Sequence, residues 1–369
     1  MKILHILNEI KFSGAEVMLR IAAPTFIKNG FNLHVLSTGD DIGNYANILE
    51  TAGYTVHHIS FKKSPKYFIA LYRFLLKKEF DVVHIHPERA FFWHALVAKV
   101  AGAKTIIRTV HNVFLFSGFL KLKRTLQRFV ASQVLGVKFI SIGSSVAEVE
   151  KKVFHNRTRL IPNWTEQSRF LPAQDDDERN KSRDKFGISP SDVVVASVGS
   201  CYEVKNHKAI IAAVAKVQKG LKNITYLHVG EGPILQEEIN FAAANGISEI
   251  TRFLGQMKDV REALIASDIF VMASNYEGLP ISSLEAMSCG LPIVNYDVYG
   301  LKDVVKNGKN GFLVEPNSTA LAKAIKELAV DEGLRKRMGV EARDSMLREF
   351  NMEESLEKLI KLYRDQRVA

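Results

Sequence analysis

The chain has 369 residues, 47% hydrophobic and 24% charged, with a net charge of +10; that is room for two ordinary domains with separate cores, and it excludes a disordered, collagen-like or disulfide-framework protein. Cys201 and Cys289 are the only cysteines, too few for a disulfide framework or a metal cluster and consistent with a reducing cytoplasm. Met1–Asn8 is too short and polar for a signal peptide, and the most apolar stretch, Ala90–Gly102, is interrupted by His94 and Lys99, so the expectation is a soluble or at most peripheral protein.

In chain order, Lys2–Leu7 reads as a strand, followed by a loop over 8–13 and a helix from about Gly14 to Asn29 that Pro24 bends or shortens. Leu33–Ser37, Thr55–Ile59, Asp81–His86, Lys104–Thr109 and Lys138–Ile142 continue the strands, with helical spacing over Lys66–Lys78 and Ala90–Ala101. Near residue 162 the pattern breaks, and Pro172–Asn180 reads as a polar linker. A second series follows: strands at Asp192–Val198, Thr225–Val229, Glu249–Leu254, Ile269–Ala273, Pro292–Tyr296 and Gly311–Val314, then helices over Ser318–Val330, Asp331–Glu349 and Met352–Arg367. Alternating βα units predict an α/β fold of two successive doubly wound, Rossmann-like domains with a cleft between them. The expected boundaries are 1–165, 166–350 and a final helix over 351–369 that packs back toward the first domain.

The segment Ser274–Val294 carries the most chemistry. Glu277 falls in the loop after a strand, a helix starts near Ile281, and Glu285 lies about a turn into it. Amides at such a helix start seat a diphosphate. Glu285 can accept from two ribose hydroxyls and Glu277 from sugar hydroxyls, although two such acids also suit a helix start structurally.

The phrase Glu277-Gly278-Leu279-Pro280 followed by Leu284-Glu285-Ala286-Met287-Ser288-Cys289-Gly290-Leu291-Pro292 strongly resembles the nucleotide-sugar signature of the retaining GT-B glycosyltransferases of family GT4. Val198-Gly199-Ser200-Cys201-Tyr202-Glu203-Val204-Lys205-Asn206 is similar to that family's phosphate-binding phrase, with Lys205 at the donor-phosphate lysine and Ser200 where an arginine usually stands. Ser13-Gly14-Ala15-Glu16 resembles its Gly-Gly-Ala-Glu loop, though Ser13 and Glu16 also read as a helix capping box. His111 stands at the family's active-site histidine, Leu254 where backbone meets the base, and 308–314 at a structural turn.

The resemblance implies a GT-B fold and a metal-independent, retaining hexosyl transfer from a nucleoside-diphosphate sugar, UDP ahead of GDP, with no further cofactor. His111, Lys205 and Glu277 would be catalytic. Gly14, Ser200, Lys205, Asn206, Leu254, Glu277, Gly278, Leu279, Pro280, Ile281 and Glu285 would bind the donor, and Ser13 and Glu16 the acceptor. A diphosphate leaving group needs preorganised positive charge, which Lys205 and the amides of Gly278 to Ile281 would supply. Asp175–Asp177 contains an Asp-x-Asp, but its polar neighbours read as a solvated linker rather than a metal site.

Residues 1–165 carry 23 Lys/Arg against 10 Asp/Glu, and 166–369 carry 27 against 30. A basic first half suits nucleic acid, an anionic membrane or a phosphorylated substrate. No nucleic-acid module is visible. Phe114–Arg124, with Arg128 beyond, joins apolar and basic groups. It reads either as an element lying on an anionic bilayer or as a helix turning its phenylalanines inward. A saccharide or lipid-linked acceptor handled at the cytoplasmic membrane face, in cell-envelope or exopolysaccharide biosynthesis, follows from the first reading. Alternatives are a silent nucleotide-sugar-binding scaffold of the same fold, or another GT-B enzyme such as an epimerase.

Overall fold

Strand and helix patterns assemble into two wholly parallel sheets in a computed structural model, whose described residues are 1–365. The chain divides into two compact units, Met1–Asn163 with the segment from Glu353 onward, and Trp164–Met352.

The first unit runs β1 (Lys2–Leu7), α1 (Gly14–Lys28), β2 (Asn32–Ser37), α2 (Ala46–Thr51), β3 (Thr55–His58), α3 (Pro65–Lys78), β4 (Val82–Ile85), α4 (Phe91–Val100), β5 (Thr105–Val110), α5 (Gly118–Gln133), β6 (Lys138–Ser141), α6 (Ser144–Phe154) and β7 (Arg159–Leu160). Its strand order is β3-β2-β1-β4-β5-β6-β7. Parallel strands covered on both faces must be apolar nearly throughout, as β1 and β4 are. Pro24 does not shorten α1, which continues to Lys28. The helix buries Ala22, Ala23 and Phe26 around that position, and this packing outweighs a proline penalty of about 3 kcal/mol.

The second unit runs α7 (Asp176–Lys185), β8 (Val193–Val198), α8 (His207–Gln218), β9 (Ile224–Val229), α9 (Leu235–Ala244), β10 (Thr251–Phe253), α10 (Arg261–Ile265), β11 (Ile269–Met272), α11 (Ile281–Ser288), β12 (Ile293–Tyr296), β13 (Gly311–Val314), α12 (Ser318–Val330) and α13 (Glu332–Glu349). The order is β10-β9-β8-β11-β12-β13. In each sheet the first strand is flanked by its successor on one side and a later strand on the other. That reversal is the switch point where open α/β sheets hold ligands.

Three sequence expectations change. Residues 172–180 are only partly linker, because α7 begins at Asp176. Asp175 caps it by accepting from Glu178 N at 2.8 Å, and Arg261 Nη1 holds Glu178 at 2.6 Å. Acidic residues at a helix start are stabilised by capping and the dipole, so a polar stretch can be helical. The strand expected at Glu249–Leu254 contracts to β10, since Ser248–Ile250 form a 3-10 turn. The two-residue β7 was not expected, being too short to show a period.

The last helix, α14 (Met352–Arg364), groups with the first unit from Glu353 onward. Tyr363 is buried there against Phe26 and Phe31, and its hydroxyl lies 2.8 Å from His84 Nδ1. The expected end of this helix at Arg367 lies outside the described residues.

Candidate functional site

In the second unit, the switch point lies beyond β8 and β11, and the loops there carry most of the residues expected to bind the donor. After β8, Glu203–Lys205 form one 3-10 turn and Asn206 takes a left-handed conformation (φ +52°) before α8 begins. Asparagine tolerates this region better than most residues. No side chain caps the start of α8, which leaves its first amides for a ligand. Ser200, earlier in the same loop, is exposed.

The β11 loop meets this turn. Asn275 N donates to Val204 O at 2.8 Å, and Lys205 Nζ donates to Glu277 Oε1 at 2.5 Å. Ser274 Oγ donates to the same Glu277 oxygen at 2.8 Å, while Glu277 N donates to Tyr299 O at 3.0 Å. Two of the expected catalytic residues are therefore one ion pair. Gly300 was missed by sequence reasoning: it has φ +81°, and a Cβ there would lie 2.3 Å from Glu277 O. Only glycine fits both its conformation and this approach.

Gly278, Leu279 and Pro280 are buried and lead into α11. Pro280 occupies the N-cap and has no amide proton, so it cannot donate as the reading of Gly278 to Ile281 requires. Gly278, Ile281 and Ser282 retain amides, and no side chain caps this helix. Glu285, inside the helix, is nearly buried and accepts no hydrogen bond from the described residues. Burial pushes its carboxyl up to about 8, opposed by Arg169 and reinforced by Asp259. Such a carboxyl wants donors. Leu254 closes the region, its amide donating to His228 O at 2.9 Å.

In the first unit, the equivalent loops carry a different set. Gly14 opens α1 in an exposed position, directly after Ser13. Ser13 is the N-cap, but the capping box does not form. Its hydroxyl donates to the Glu16 carboxylate instead of accepting from a helix amide. Glu16 is buried, and burial raises its pKa against the opposing Ser13 hydrogen bond. The hydroxyl proton is thus spent on a buried acid, while the first amides of α1 lack a side-chain cap.

His111 follows β5, with its Nε2 2.7 Å from His86 Nδ1; His86 Nε2 lies 3.0 Å from His5 Nδ1. Burial lowers His5 and His111 to about 3, with Arg108 also acting on His111. The three rings are therefore neutral at ordinary pH. His5 Nε2 is buried without a partner among the described residues. A bare lone pair is the cheaper orphan than an N–H, so the protons point from His5 through His86 toward His111. His111 Nδ1 then presents its N–H outward. Sequence reasoning found His111 but not this chain, which joins three strands whose order local sequence does not encode.

The segment after β5 divides the inward-facing alternative: Phe114 and Phe116 are half-buried, stacked on each other with Phe116 also against Phe154, whereas the helix that follows faces the other way. Helix α5 exposes Phe119 (81%), Leu122 (65%), Leu126 (59%) and Phe129 (61%), spaced to share one face. Arg128 is instead fully buried, with Glu150 at 2.9 Å and Glu88 at 3.1 Å. Its guanidinium also stacks 4.2 Å from the Phe154 ring centre. The phenylalanines of α5 therefore do not pack inward, and Arg128 does not belong to the basic surface. No helix among the described residues is long and apolar enough to cross a membrane.

Comparison with known proteins identifies the family. Residues 12–169 match the family model Glycosyltransferase Family 4, and 178–345 match Glycosyl transferases group 1. The UDP-Gal:alpha-D-GlcNAc-diphosphoundecaprenol alpha-1,3-galactosyltransferase of Escherichia coli is 26% identical over 318 residues, 84% of this chain and 81% of that protein. The N-acetyl-alpha-D-glucosaminyl L-malate synthase of Bacillus anthracis is 26% identical over 320 residues, covering 84% and 82%. Anabaena HepE, solved with UDP and glucose, superposes with a TM-score of 0.83 at 20% identity over 98% of each chain. Matched in both consecutive halves, the chain belongs to the GT4-type glycosyltransferases and has their GT-B fold.

Proposed function

We propose that this glycosyltransferase moves a sugar, with retention and without a catalytic metal, from a nucleoside-diphosphate sugar to a saccharide or lipid-linked acceptor. The observation that carries this reading is Glu285: a nearly buried carboxyl with no donor among the described residues, in the helix that follows the Lys205–Glu277 pair. A ribose diol supplies the two missing donors. Lys205 and the amides of α8 and α11 then meet the diphosphate, where charge develops as the anomeric C–O bond breaks. The acceptor oxygen attacks from the same face, and its proton passes to the departing phosphate. No protein nucleophile is required. His111 and Glu277 are assigned to the sugar, Gly14 to the donor, and Ser13 and Glu16 to the acceptor.

UDP is the favoured nucleotide. The E. coli relative is named for UDP-Gal and the Anabaena neighbour was solved with UDP. That relative is also named for a diphosphoundecaprenol acceptor, which supports a lipid-linked acceptor and a role in cell-envelope or exopolysaccharide biosynthesis. The exposed apolar face of α5, with Lys121 and Lys123 exposed on the same helix, fits a peripheral contact with the cytoplasmic membrane face.

A thermal-shift panel of UDP-, GDP- and ADP-sugars tests the donor, since a bound ligand stabilises the fold. Stabilisation by UDP-sugars is expected, and a response only to GDP-sugars reverses the nucleotide assignment. Nuclear magnetic resonance of the product's anomeric proton reads retention directly. Transfer lost in chelator and restored by manganese overturns the metal-independent mechanism. Failure to sediment with anionic liposomes at low salt removes the membrane contact.

A further inference from the structure

Four side chains that the transferase mechanism does not use converge inside the second unit. Cys201 follows β8, His207 opens α8, His228 lies on β9 and Glu238 on α9; all four are buried, and their potential ligand atoms lie within 4.8 Å of one another. His207 Nδ1 is 3.1 Å from Glu238 Oε1. His228 Nε2 is 3.0 Å from Glu238 Oε2, 3.1 Å from His207 Nδ1 and 3.9 Å from Cys201 Sγ.

Hydrogen bonds from both imidazoles to the Glu238 carboxylate account for part of this geometry. If each imidazole donates to its carboxylate oxygen, both protons near the centre are spent. The two ring nitrogens then face each other at 3.1 Å with no proton between them. The carboxylate charge of a fully buried Glu238 also has no cation within the cluster, a costly arrangement. A central divalent ion removes both difficulties, receiving the two nitrogen lone pairs while its charge balances one carboxylate and one thiolate; in return His228 Nδ1, buried without a partner among the described residues, must carry the ring proton. Tetrahedral zinc, with bonds of about 2.0–2.3 Å, separates its ligand atoms by about 3.3–3.6 Å. Four of the six separations, at 3.0–3.9 Å, bracket that spacing, and the other two are within 4.8 Å.

We propose that Cys201, His207, His228 and Glu238 form a closed zinc site. Thiolate and imidazole select zinc over magnesium or calcium. Binding releases the Cys201 thiol proton to solvent and involves no redox step. Four protein ligands leave no open position, so the ion is structural and takes no part in the transfer. It pins both ends of the 201–207 loop, and hence Lys205 between them, to β9 and α9. The site escapes a sequence search because its ligands come from four separate elements and only one is a cysteine.

Elemental analysis of the full chain, purified without chelator, is expected to find about one zinc per molecule, as for a closed structural site. Cobalt added to the stripped protein should give the visible bands of a tetrahedral ion and a near-ultraviolet thiolate-to-cobalt band. Cys201→Ser should abolish the thiolate band while Cys289→Ser keeps it, and His228→Gln should weaken metal affinity at least tenfold. Absence of metal from the wild-type protein, together with no cobalt spectrum on titration, overturns the proposal whether or not any variant folds. So does a thiolate band that follows Cys289 instead of Cys201.

Discussion

The two sheets reverse their strand order in the same way, yet the loops at the two reversals carry opposite kinds of chemistry. On β1 and just beyond β4 and β5 stand imidazoles that burial keeps neutral, linked His5–His86–His111. Beyond β8 and β11 stand a lysine–glutamate pair and the solitary carboxyl of Glu285. One place offers direction without charge, which suits hydroxyl groups. The other offers charge, which suits a diphosphate. A shared topology thus sets where ligands bind, while the side chains at the strand ends set what kind of ligand it is. The charge distribution obeys the same distinction between position and role. Much of the first unit's basic excess is solvent-facing lysine, whereas Arg108 and Arg128 are buried among Glu88 and Glu150.

The contrast can be broken by substitution. Arg128→Ala strips a buried ion network and is expected to cost about 3–5 kcal/mol of stability in denaturant unfolding; a loss confined to liposome binding would return Arg128 to the surface. Lys205→Ala is expected to lower kcat by about 10²–10³-fold, on the scale of removing one transition-state donor. A single-turnover assay that instead found only a higher donor KM would make the lysine a binding group.

Smaller effects sharpen the comparison. Glu285 must be ionised to accept from a ribose diol, yet burial holds its pKa at about 8 in the free protein. Donor affinity, measured by calorimetry, should therefore rise about tenfold per pH unit below that value and level off above it. Glu285→Gln should bind weakly and without this slope. The linked stability runs the other way. A raised acid pKa stabilises the fold fully below the unfolded acid's value, and this contribution is lost as pH rises through about 8. The variant should therefore gain melting temperature over the wild type at alkaline pH. Neutral His111 makes the opposite forecast: with its pKa lowered to about 3, no histidine step should appear in kcat between about pH 5 and 8, the range of an ordinary imidazole. Least in energy, replacing Lys121 or Lys123 by Ser should weaken sedimentation with anionic liposomes by about 1 kcal/mol each.

Much of this was legible before any coordinates. Strand positions followed from apolar runs, and Lys205, Glu277 and Glu285 from a phrase whose chemistry is local to two loops. Legibility failed where a residue's role depends on a neighbour far along the chain. The capping box at Ser13 and Glu16 has the correct spacing, but the carboxylate is buried and takes the hydroxyl for itself. The acidic stretch at Asp175–Glu178 became a helix start once Arg261 was there to hold it.

Helix α5 is the clearest case. Its sequence marks an amphipathic segment, and periodicity alone cannot say which side faces the core. Burial of Arg128 between Glu88 and Glu150 turns Phe119 and Phe129 outward. The sequence by itself determined the two βα series, the charge imbalance and the donor phrase, because each is written in local spacing or composition. Tertiary structure alone decided the pairing of Lys205 with Glu277, the histidine chain, the outward face of α5 and the Cys201–His207–His228–Glu238 cluster. Those contacts join separate elements, and strand order, which local sequence does not encode, brings them together.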